Sequence, residues 1–197
     1  MEFTQFLPSA SVSYVQGLTQ HFPVEIKVVK KRQTKHGDYR AIPDGKHRIT
    51  LNRETNPYRF LITCVHEIAH LVAFQKYGRN IRPHGKEWKE VYRELMQPLL
   101  HPDIFPEALL PFMHHHFQNP KAATDSDSAL VIALQNWDVE PVGLRLFELT
   151  EGDLFELTNG RKFIKGPKRR TRFLCTELNT HKQYLIVGHA PVGTFLD

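Results

Sequence analysis

Apolar and charged residues alternate in two stretches near the start of the chain, with the period of a half-buried strand. In VEIKVVKKR, residues 24–32, every second residue from Val24 to Val28 is apolar. In HRITLN, residues 47–52, Ile49 and Leu51 alternate with polar neighbours. Between them, KHGDYR at residues 35–40 supplies turn residues, so the two stretches predict a small antiparallel sheet.

A long helical pattern follows, which begins at Asn56-Pro57 and ends at Gly78. Asparagine caps helix starts, proline is tolerated at the first helical position, and glycine favours a helix end. A second helix is predicted at about residues 85–99, with Trp88 and Leu95 on its apolar face. A proline-rich stretch comes next, in which we expect short helices and turns and a last helix at residues 126–136.

The pattern changes to that of strands from Val142 onwards. The strand-like runs are GLRLFEL, DLFEL, KFI, RTRFLCTEL and QYLIVGH. Asn159-Gly160, between two of these runs, is a good hairpin signal. We therefore predict an α+β protein, with a first domain at residues 1–140 and a β-rich unit at residues 141–197.

The composition of the chain indicates its cellular location and argues against a membrane protein. The 197 residues carry a formal charge of +5, and no apolar run approaches the roughly 20 residues needed to cross a bilayer. The N-terminus lacks the basic lead and apolar run of a secretory signal. Cys64 and Cys175 lie in unlike contexts, which argues against a disulfide framework. We expect a cytoplasmic, nucleoid-associated protein without membrane contact, and the sequence gives no signal for its oligomeric state.

Glutamate and histidine fall at the spacing of a zinc hydrolase in VHEIAH, residues 65–70. Positions i and i+4 of a helix share a face, so His66 and His70 can direct their imidazoles to one point. Glu67 could then take the proton of a zinc-bound water. Because the surrounding residues are apolar, these polar side chains need partners, and a metal ion would supply them.

A catalytic zinc site needs a third protein ligand. His84 is the best candidate, because the chain can turn back after Gly78 and His84 stands just before the second helix. The alternatives are Glu87, Glu90 and Glu94, since some zinc hydrolases take a glutamate from the next helix.

With these motifs the chain resembles the SprT-like zinc metalloproteases, a family that includes the DNA–protein crosslink protease Spartan. The resemblance rests on NPYRFLITCVHEIAHLVAFQKYG, HGKEWK and the preceding HRITLN, and covers about residues 20–100. It implies a zincin-like domain of minimal gluzincin type, with a small antiparallel sheet beside two active-site helices. It also implies that His66, His70 and His84 hold one Zn²⁺ per chain and that Glu67 is the catalytic base.

The function implied by the resemblance is zinc-dependent cleavage of peptide bonds in DNA-associated or DNA-crosslinked proteins. The HRITLN strand would lie where an extended peptide substrate can pair with it. The DNA partner is expected to be single-stranded or damaged and to be bound without sequence preference. The alternative is a nucleic-acid-binding accessory protein, linked to transcription, with a structural or weakly active zinc site.

A run of cations without an acid, RKFIKGPKRRTR at residues 161–172, favours contact with a phosphate backbone. Its members are Arg161, Lys162, Lys165, Lys168, Arg169, Arg170 and Arg172. Many SprT-like relatives end in a zinc ribbon with two cysteine pairs, whereas this region has Cys175 alone. We therefore expect a degenerate zinc ribbon that is held together by hydrophobic packing rather than by a second zinc.

Three consecutive histidines, residues 114–116, are expected to have a structural or surface role. Successive side chains on a helix point about 100° apart, so on a helix these three cannot chelate one ion together.

Overall fold

The computed structural model describes residues 2–32, 35–139 and 143–194. The chain divides into two compact units, Met1–Val139 and Glu140–Asp197. The predicted boundary at residues 140 and 141, and Val142, where the strand pattern was predicted to begin, lie outside the described residues. No helix within the described ranges is long and apolar enough to cross a membrane.

A three-stranded sheet forms one side of the first unit. Its strands are β1 (Val24–Val29), β2 (Gly37–Ala41) and β3 (His47–Asn52), in the order β1-β3-β2. β2 and β3 form an antiparallel hairpin, whereas β1 runs parallel to β3. The prediction of an antiparallel pair from residues 24–32 and 47–52 is therefore wrong.

The error has a simple cause, which is the extra strand in KHGDYR. This segment was predicted to be a turn, but Gly37 to Arg40 extend as β2 and pair with β3 from the other side. Since the chain reverses between β1 and β2 and again between β2 and β3, β1 and β3 must point the same way. The result places HRITLN in the centre of the sheet and β2 at its edge.

Five helices complete the first unit. They are α1 (Val12–Thr19), α2 (Pro57–Tyr77), α3 (Lys86–Met96), α4 (Leu110–Gln118) and α5 (Ser128–Gln135). Helix α2 is the centre of the core, with nearly half of its residues buried. Its predicted cap is confirmed, because the Asn56 side chain accepts hydrogen bonds from the backbone N–H groups of Tyr58 and Arg59 at 3.1 and 3.2 Å.

Helix α3 packs on α2 through a buried face that contains Trp88, Val91 and Tyr92. The Tyr92 hydroxyl donates to the carbonyl oxygen of Ile62 on α2 at 3.1 Å. Because this packing fixes the two helices together, the residues that precede α3 are held next to the middle of α2.

Helix α4 carries the three histidines, and the structure separates them. His114 and His115 are exposed, while His116 is buried. His116 Nδ1 lies 2.9 Å from Asp127 Oδ2, and Asp127 also caps α5 by accepting from the Leu130 N–H. His116 therefore ties the end of α4 to the start of α5.

The second unit is a six-stranded antiparallel sheet in the order β4-β9-β5-β6-β7-β8. The strands are β4 (Leu144–Arg145), β5 (Leu154–Leu157), β6 (Lys162–Arg169), β7 (Arg172–Glu177), β8 (Gln183–Val187) and β9 (Pro191–Thr194). The predicted hairpin at Asn159-Gly160 is confirmed, with Gly160 at φ 79° between β5 and β6. The predicted strand GLRLFEL is wrong beyond Arg145, because Leu146 to Glu148 form a turn of 3-10 helix.

The buried core of this unit consists of Leu146, Phe155, Phe163, Cys175 and Val192. The Cys175 thiol is free and lies among these apolar side chains, and burial raises its pKa. The α+β class of the chain is confirmed, while the likeness of this unit to a zinc ribbon stays a prediction.

Candidate metal centre

A cleft of about 620 Å³ opens between helix α2 and the edge strand β2. Residues 35–39 form one wall, the exposed part of α2 forms the floor, and residues 78–84 form the other wall. Residues 122–125, which precede α5, lie at its end. His66, Glu67, His70 and His84 all line this one cleft.

Three imidazoles meet in the cleft. The Nε2 atoms of His66 and His70 are 3.3 Å apart, and the Nε2 atom of His84 lies 3.2 Å from the first and 3.0 Å from the second. A neutral imidazole nitrogen offers either one N–H or one lone pair, so three such atoms cannot satisfy one another by hydrogen bonding. A shared cation can accept a lone pair from each of them.

The spacing suits an ion of zinc's size. Nitrogen ligands at about 2.0–2.1 Å in a tetrahedron are separated from one another by roughly 3.3–3.4 Å. The three observed separations of 3.0 to 3.3 Å are close to this value. In the described part of the chain, these three histidines are the group of side chains that could hold a metal ion.

Burial keeps the three rings in the form that binds metals. It holds the pKa of His66 well below its usual range, with further lowering from His70 and His84, and it lowers the pKa of His70 to about 4. Burial also lowers the pKa of His84. All three imidazoles are therefore neutral at pH 7, and a neutral ring donates a lone pair to a metal.

His84 reaches the site from a loop, through an unusual backbone conformation. Its φ of 55° lies in the left-handed region, which costs a non-glycine residue about 1 kcal/mol or more. His84 lies within a turn that the Gly85 N–H closes by donating to the Arg82 carbonyl at 2.8 Å, and α3 begins directly after this turn. The His84 ring packs on Trp88, with centroids 4.7 Å apart, and lies next to the rings of His66 and His70.

The alternative third ligands lie outside this cluster. Glu87, Glu90 and Glu94 are not among the residues that line the cleft. The Tyr77 hydroxyl is the main cause that raises the pKa of the Lys76 ammonium group at the end of α2, and the carboxylates of Glu94 and Glu90 add to this rise. Glu90 and Glu94 therefore lie towards the end of α2, whereas the Glu87 carboxylate lies beside Gly85, where an added Cβ atom would be 3.3 Å from its Oε2 atom.

Trp88 forms a wall behind all three histidines. The centroid of its ring lies 4.6 Å from that of His66, 5.1 Å from that of His70 and 4.7 Å from that of His84. Trp88 is fully buried, and its Nε1 atom has no hydrogen-bond partner within the described residues. Its part in the site is therefore packing, which restricts the rotation of the three imidazoles.

Glu67 is buried beside strand β2. Only 6% of the residue is exposed, and burial raises the pKa of its carboxyl to about 8, with a further contribution from the Asp38 carboxylate. The backbone N–H of Tyr39 donates to the Glu67 carboxylate and opposes this rise. A cation bound at the histidines would also oppose it, because a nearby positive charge favours the carboxylate.

Sequence reasoning missed the contribution of β2 to the site. The backbone of Gly37 lies against the Glu67 carboxyl, and the ring of Tyr39 stacks parallel to that of His70, with centroids 6.3 Å apart and an interplanar angle of 6°. The signal was present in KHGDYR, where an aromatic residue follows a glycine by two positions, as on one face of a strand. Because KHGDYR was predicted to be a turn, its strand pattern was not recognised.

The predicted nucleic-acid-binding cations lie on β6, on β7 and in the turns before and after β6, but not all of them point to solvent. Lys165 is 5% exposed, and its ammonium donates to the Leu149 carbonyl and lies 4.2 Å from the centroid of the Phe173 ring. Its charge is turned inward, which argues against the predicted phosphate contact. Arg161 is bound to Glu177 at 2.7 Å, whereas Lys168, Arg169 and Arg170 at the tip are exposed.

Cys64 needs no chemical role. It is fully buried in α2, and burial raises the pKa of its thiol far above the usual range. It is a core residue, as its apolar neighbours indicated.

An α+β unit whose central helix carries HExxH, and in which a third histidine joins the first two, defines a candidate metal centre of the HExxH class. The SprT-like family model matches residues 4–106, which include the whole motif. The chain belongs to the SprT-like family.

Shorter stretches match curated relatives. Protein SprT of Vibrio parahaemolyticus is 57% identical over 37 residues, which are 18% of this chain and 22% of the relative. Protein SprT of Pseudomonas fluorescens is 44% identical over 43 residues, 22% of this chain and 26% of the relative. For Protein SprT of Actinobacillus succinogenes the identity is 43% over 56 residues, 26% of this chain and 32% of the relative. The matches therefore span about a quarter of the relatives' length, and no solved structure matches the chain.

Proposed function

We propose that the protein is a zinc-dependent endopeptidase of the SprT-like type that cleaves DNA-associated or DNA-crosslinked proteins. The observation that carries this proposal is the convergence of three neutral imidazole nitrogens, within 3.3 Å of one another, in a cleft that also contains the buried carboxyl of Glu67. Family membership supports the choice of zinc among the ions that imidazole nitrogens can bind.

In this proposal His66, His70 and His84 hold one zinc ion. When bound, the ion would supply Lewis-acid chemistry, which polarises a carbonyl group and makes water more acidic. Glu67 acts as the general base, accepts a proton from the attacking water and then passes it to the leaving amine. Burial raises the pKa of the Glu67 carboxyl and a cation at the three histidines would oppose this rise, so the carboxylate can accept the proton and then release it.

The peptide substrate is proposed to bind along β2 rather than along HRITLN. The earlier expectation fails because β3 is paired on both sides, to β1 and to β2. β2 is an edge strand of this sheet, and its residues 37–39 line the cleft. An extended peptide can add to such an edge through backbone hydrogen bonds.

Nucleic acid is the second proposed partner. The tip of β6 and β7 presents Lys168, Arg169 and Arg170 to solvent, and Arg172 follows them. No motif for reading bases accompanies these cations, so the proposed binding is to phosphates and is independent of sequence. Such binding would concentrate the enzyme on proteins attached to DNA.

The test is the substitution Glu67→Gln, which keeps the shape of the side chain and removes the base. We expect loss of proteolysis of a DNA-bound substrate protein, with zinc content and DNA affinity unchanged. Glu87→Gln is the matched control, because Glu87 lies nearby on α3 but does not line the cleft. Equal proteolysis by wild type and Glu67→Gln, or none by either, would reject the endopeptidase and favour a nucleic-acid-binding accessory protein with a structural zinc.

A further inference from the structure

A second groove adjoins the candidate metal centre at His84. Its volume is about 360 Å³, and it runs between the outward face of α3 and the end of α4. Its lining consists of His84, Gly85, Lys86, Lys89, Arg93, Gln118, Asn119 and Pro120. His84 lines both cavities, so the groove and the cleft meet at this residue.

The groove is positively charged. Lys86, Lys89 and Arg93 lie three and four residues apart, so they form one row along α3. Lys89 Nζ donates to Asn119 Oδ1 at 2.8 Å, and an Arg93 guanidinium N–H donates to the Gln118 carbonyl at 3.5 Å. Both partners are uncharged, and no acidic side chain lines the groove. The Glu87 carboxylate lies beside Gly85 at one end of the row, so the three cations leave the groove with a net positive charge.

The spacing of the row suits a ligand with repeated negative charges. Along a helix that rises about 1.5 Å per residue, Lys86 and Arg93 are roughly 10 Å apart, with Lys89 between them. Three cations over that length can each meet a phosphate of an extended strand. Gln118 and Asn119 add amide groups on the opposite wall, which can also bind phosphate or sugar oxygens.

The lining also argues against a folded protein or a peptide as the ligand. Protein interfaces depend on buried aromatic or aliphatic anchors, and the described residues that line this groove include no aliphatic side chain larger than that of Pro120 and no aromatic one besides the His84 imidazole. A phosphate backbone needs charge and hydrogen bonds but no such anchor.

We propose that the Lys86–Lys89–Arg93 groove binds the phosphate backbone of a single nucleic-acid strand, without sequence preference, directly beside the candidate metal centre. This surface belongs to the first unit and is distinct from the cations of β6 and β7. The inference rests on the proposed function, because a strand held in this groove would place a protein attached to it at the mouth of the cleft.

The experiment measures binding of fluorescent oligo(dT) to the full chain by anisotropy across a salt series. The test variant is Lys86→Ala/Lys89→Ala/Arg93→Ala. The matched control is Lys30→Ala/Lys46→Ala/Arg53→Ala, which removes the same charge from exposed positions outside the groove. Each phosphate contact contributes about 0.7 to the slope of log K against log salt for single strands, so the test variant should lose about 2 from that slope. The control should lose much less.

Two outcomes would overturn the inference. An equal loss in both variants would show that only net charge matters, and competition by poly-glutamate as effective as that by unlabelled oligo(dT) would identify an acidic peptide as the ligand. Cleavage of a DNA-bound substrate protein is measured in parallel. If wild type cleaves nothing, the endopeptidase proposal fails. The oligo(dT) data still test whether the groove binds a nucleic-acid strand.

Discussion

The carboxyl end of the Glu67 side chain occupies the space that a side chain at Gly37 would need. A Cβ atom at Gly37 would lie 2.4 Å from Glu67 Oε1 and 2.6 Å from its Cγ. These distances are far inside van der Waals contact, and the atoms that would have to yield belong to the carboxyl end of Glu67. Strand β2 therefore sets the position of the proposed catalytic base by close approach of its backbone.

Gly37→Ala should abolish most of the activity without unfolding the protein. The added methyl displaces the Glu67 carboxyl, and an error of about 1 Å in a catalytic group can cost on the order of a hundredfold in rate. Zinc content should stay unchanged, because Gly37 does not touch the three histidines. Gly17→Ala is the control, since a Cβ there meets no atom within 4 Å and the substitution should leave proteolysis unaffected.

His84→Asn should remove the metal while it spares the loop. Asparagine tolerates the left-handed backbone that His84 adopts at φ 55°, so the substitution removes the imidazole with little change in backbone strain. Elemental analysis should find about one zinc per chain in wild type and far less in the variant. His181→Asn is the matched control, because His181 has the same φ of 55°, and this variant should keep the metal. Full zinc retention by His84→Asn would remove His84 from the ligand set.

Local signals predicted the parts of this fold that local physics determines. The Asn56 cap, the course of α2 and the Asn159-Gly160 hairpin each depend on a few neighbouring residues, and each is confirmed. The direction of β1 relative to β3 depends on a third strand, and short segments such as GDYRA carry little periodicity. Strand pairing is decided by contacts distant in sequence, which a pattern along the chain does not contain.

The same distinction applies to the candidate site. His66 and His70 share a helix face by their spacing alone, and the structure brings His84 to them. The inward orientation of Lys165 could not be predicted, because it depends on the Leu149 carbonyl and the Phe173 ring, both placed by the tertiary fold. A run of cations gives the charge of a segment but not which of its members face solvent.

Asn56→Ala should destabilise the first unit by about 2–4 kcal/mol. The loss of the helix cap costs about 1 kcal/mol, and a buried acceptor left without its partner costs about 1–3 kcal/mol. That acceptor is the Leu134 carbonyl, to which Asn56 Nδ2 donates at 2.8 Å. Urea unfolding followed by tryptophan fluorescence reports on this unit, because Trp88 and Trp137 are the two tryptophans of the chain. An effect below about 0.5 kcal/mol, the scale of ordinary surface substitutions, would show that these contacts do not hold α2 to α5.

Lys168→Ala/Arg169→Ala/Arg170→Ala should weaken oligo(dT) binding and flatten its dependence on salt by about 2 in slope, if each cation meets one phosphate. The three side chains are exposed at the tip of β6 and β7, so their removal should leave the sheet intact. Lys30→Ala/Lys46→Ala/Arg53→Ala again controls for net charge. An unchanged slope in the tip variant would make this segment an ordinary solvated hairpin.

Glu177→Gln should make the second unit less sensitive to acid. The Arg161 guanidinium, which donates to Glu177 Oε1 at 2.7 Å, is the main cause that lowers the pKa of this carboxyl to about 2, and the Thr180 hydroxyl adds a further hydrogen bond. Because the pKa is lower in the folded state, the carboxylate stabilises that state above the ordinary pKa of 4.5, and this contribution is lost as the pH falls towards 2. The urea midpoint of the unit, followed through the NMR amide signals of β7, should therefore fall more steeply between these pH values in wild type than in Glu177→Gln.

Glu151→Gln, at an exposed turn, should follow wild type. Parallel curves for wild type and Glu177→Gln would show that the Arg161 pair contributes nothing to acid stability.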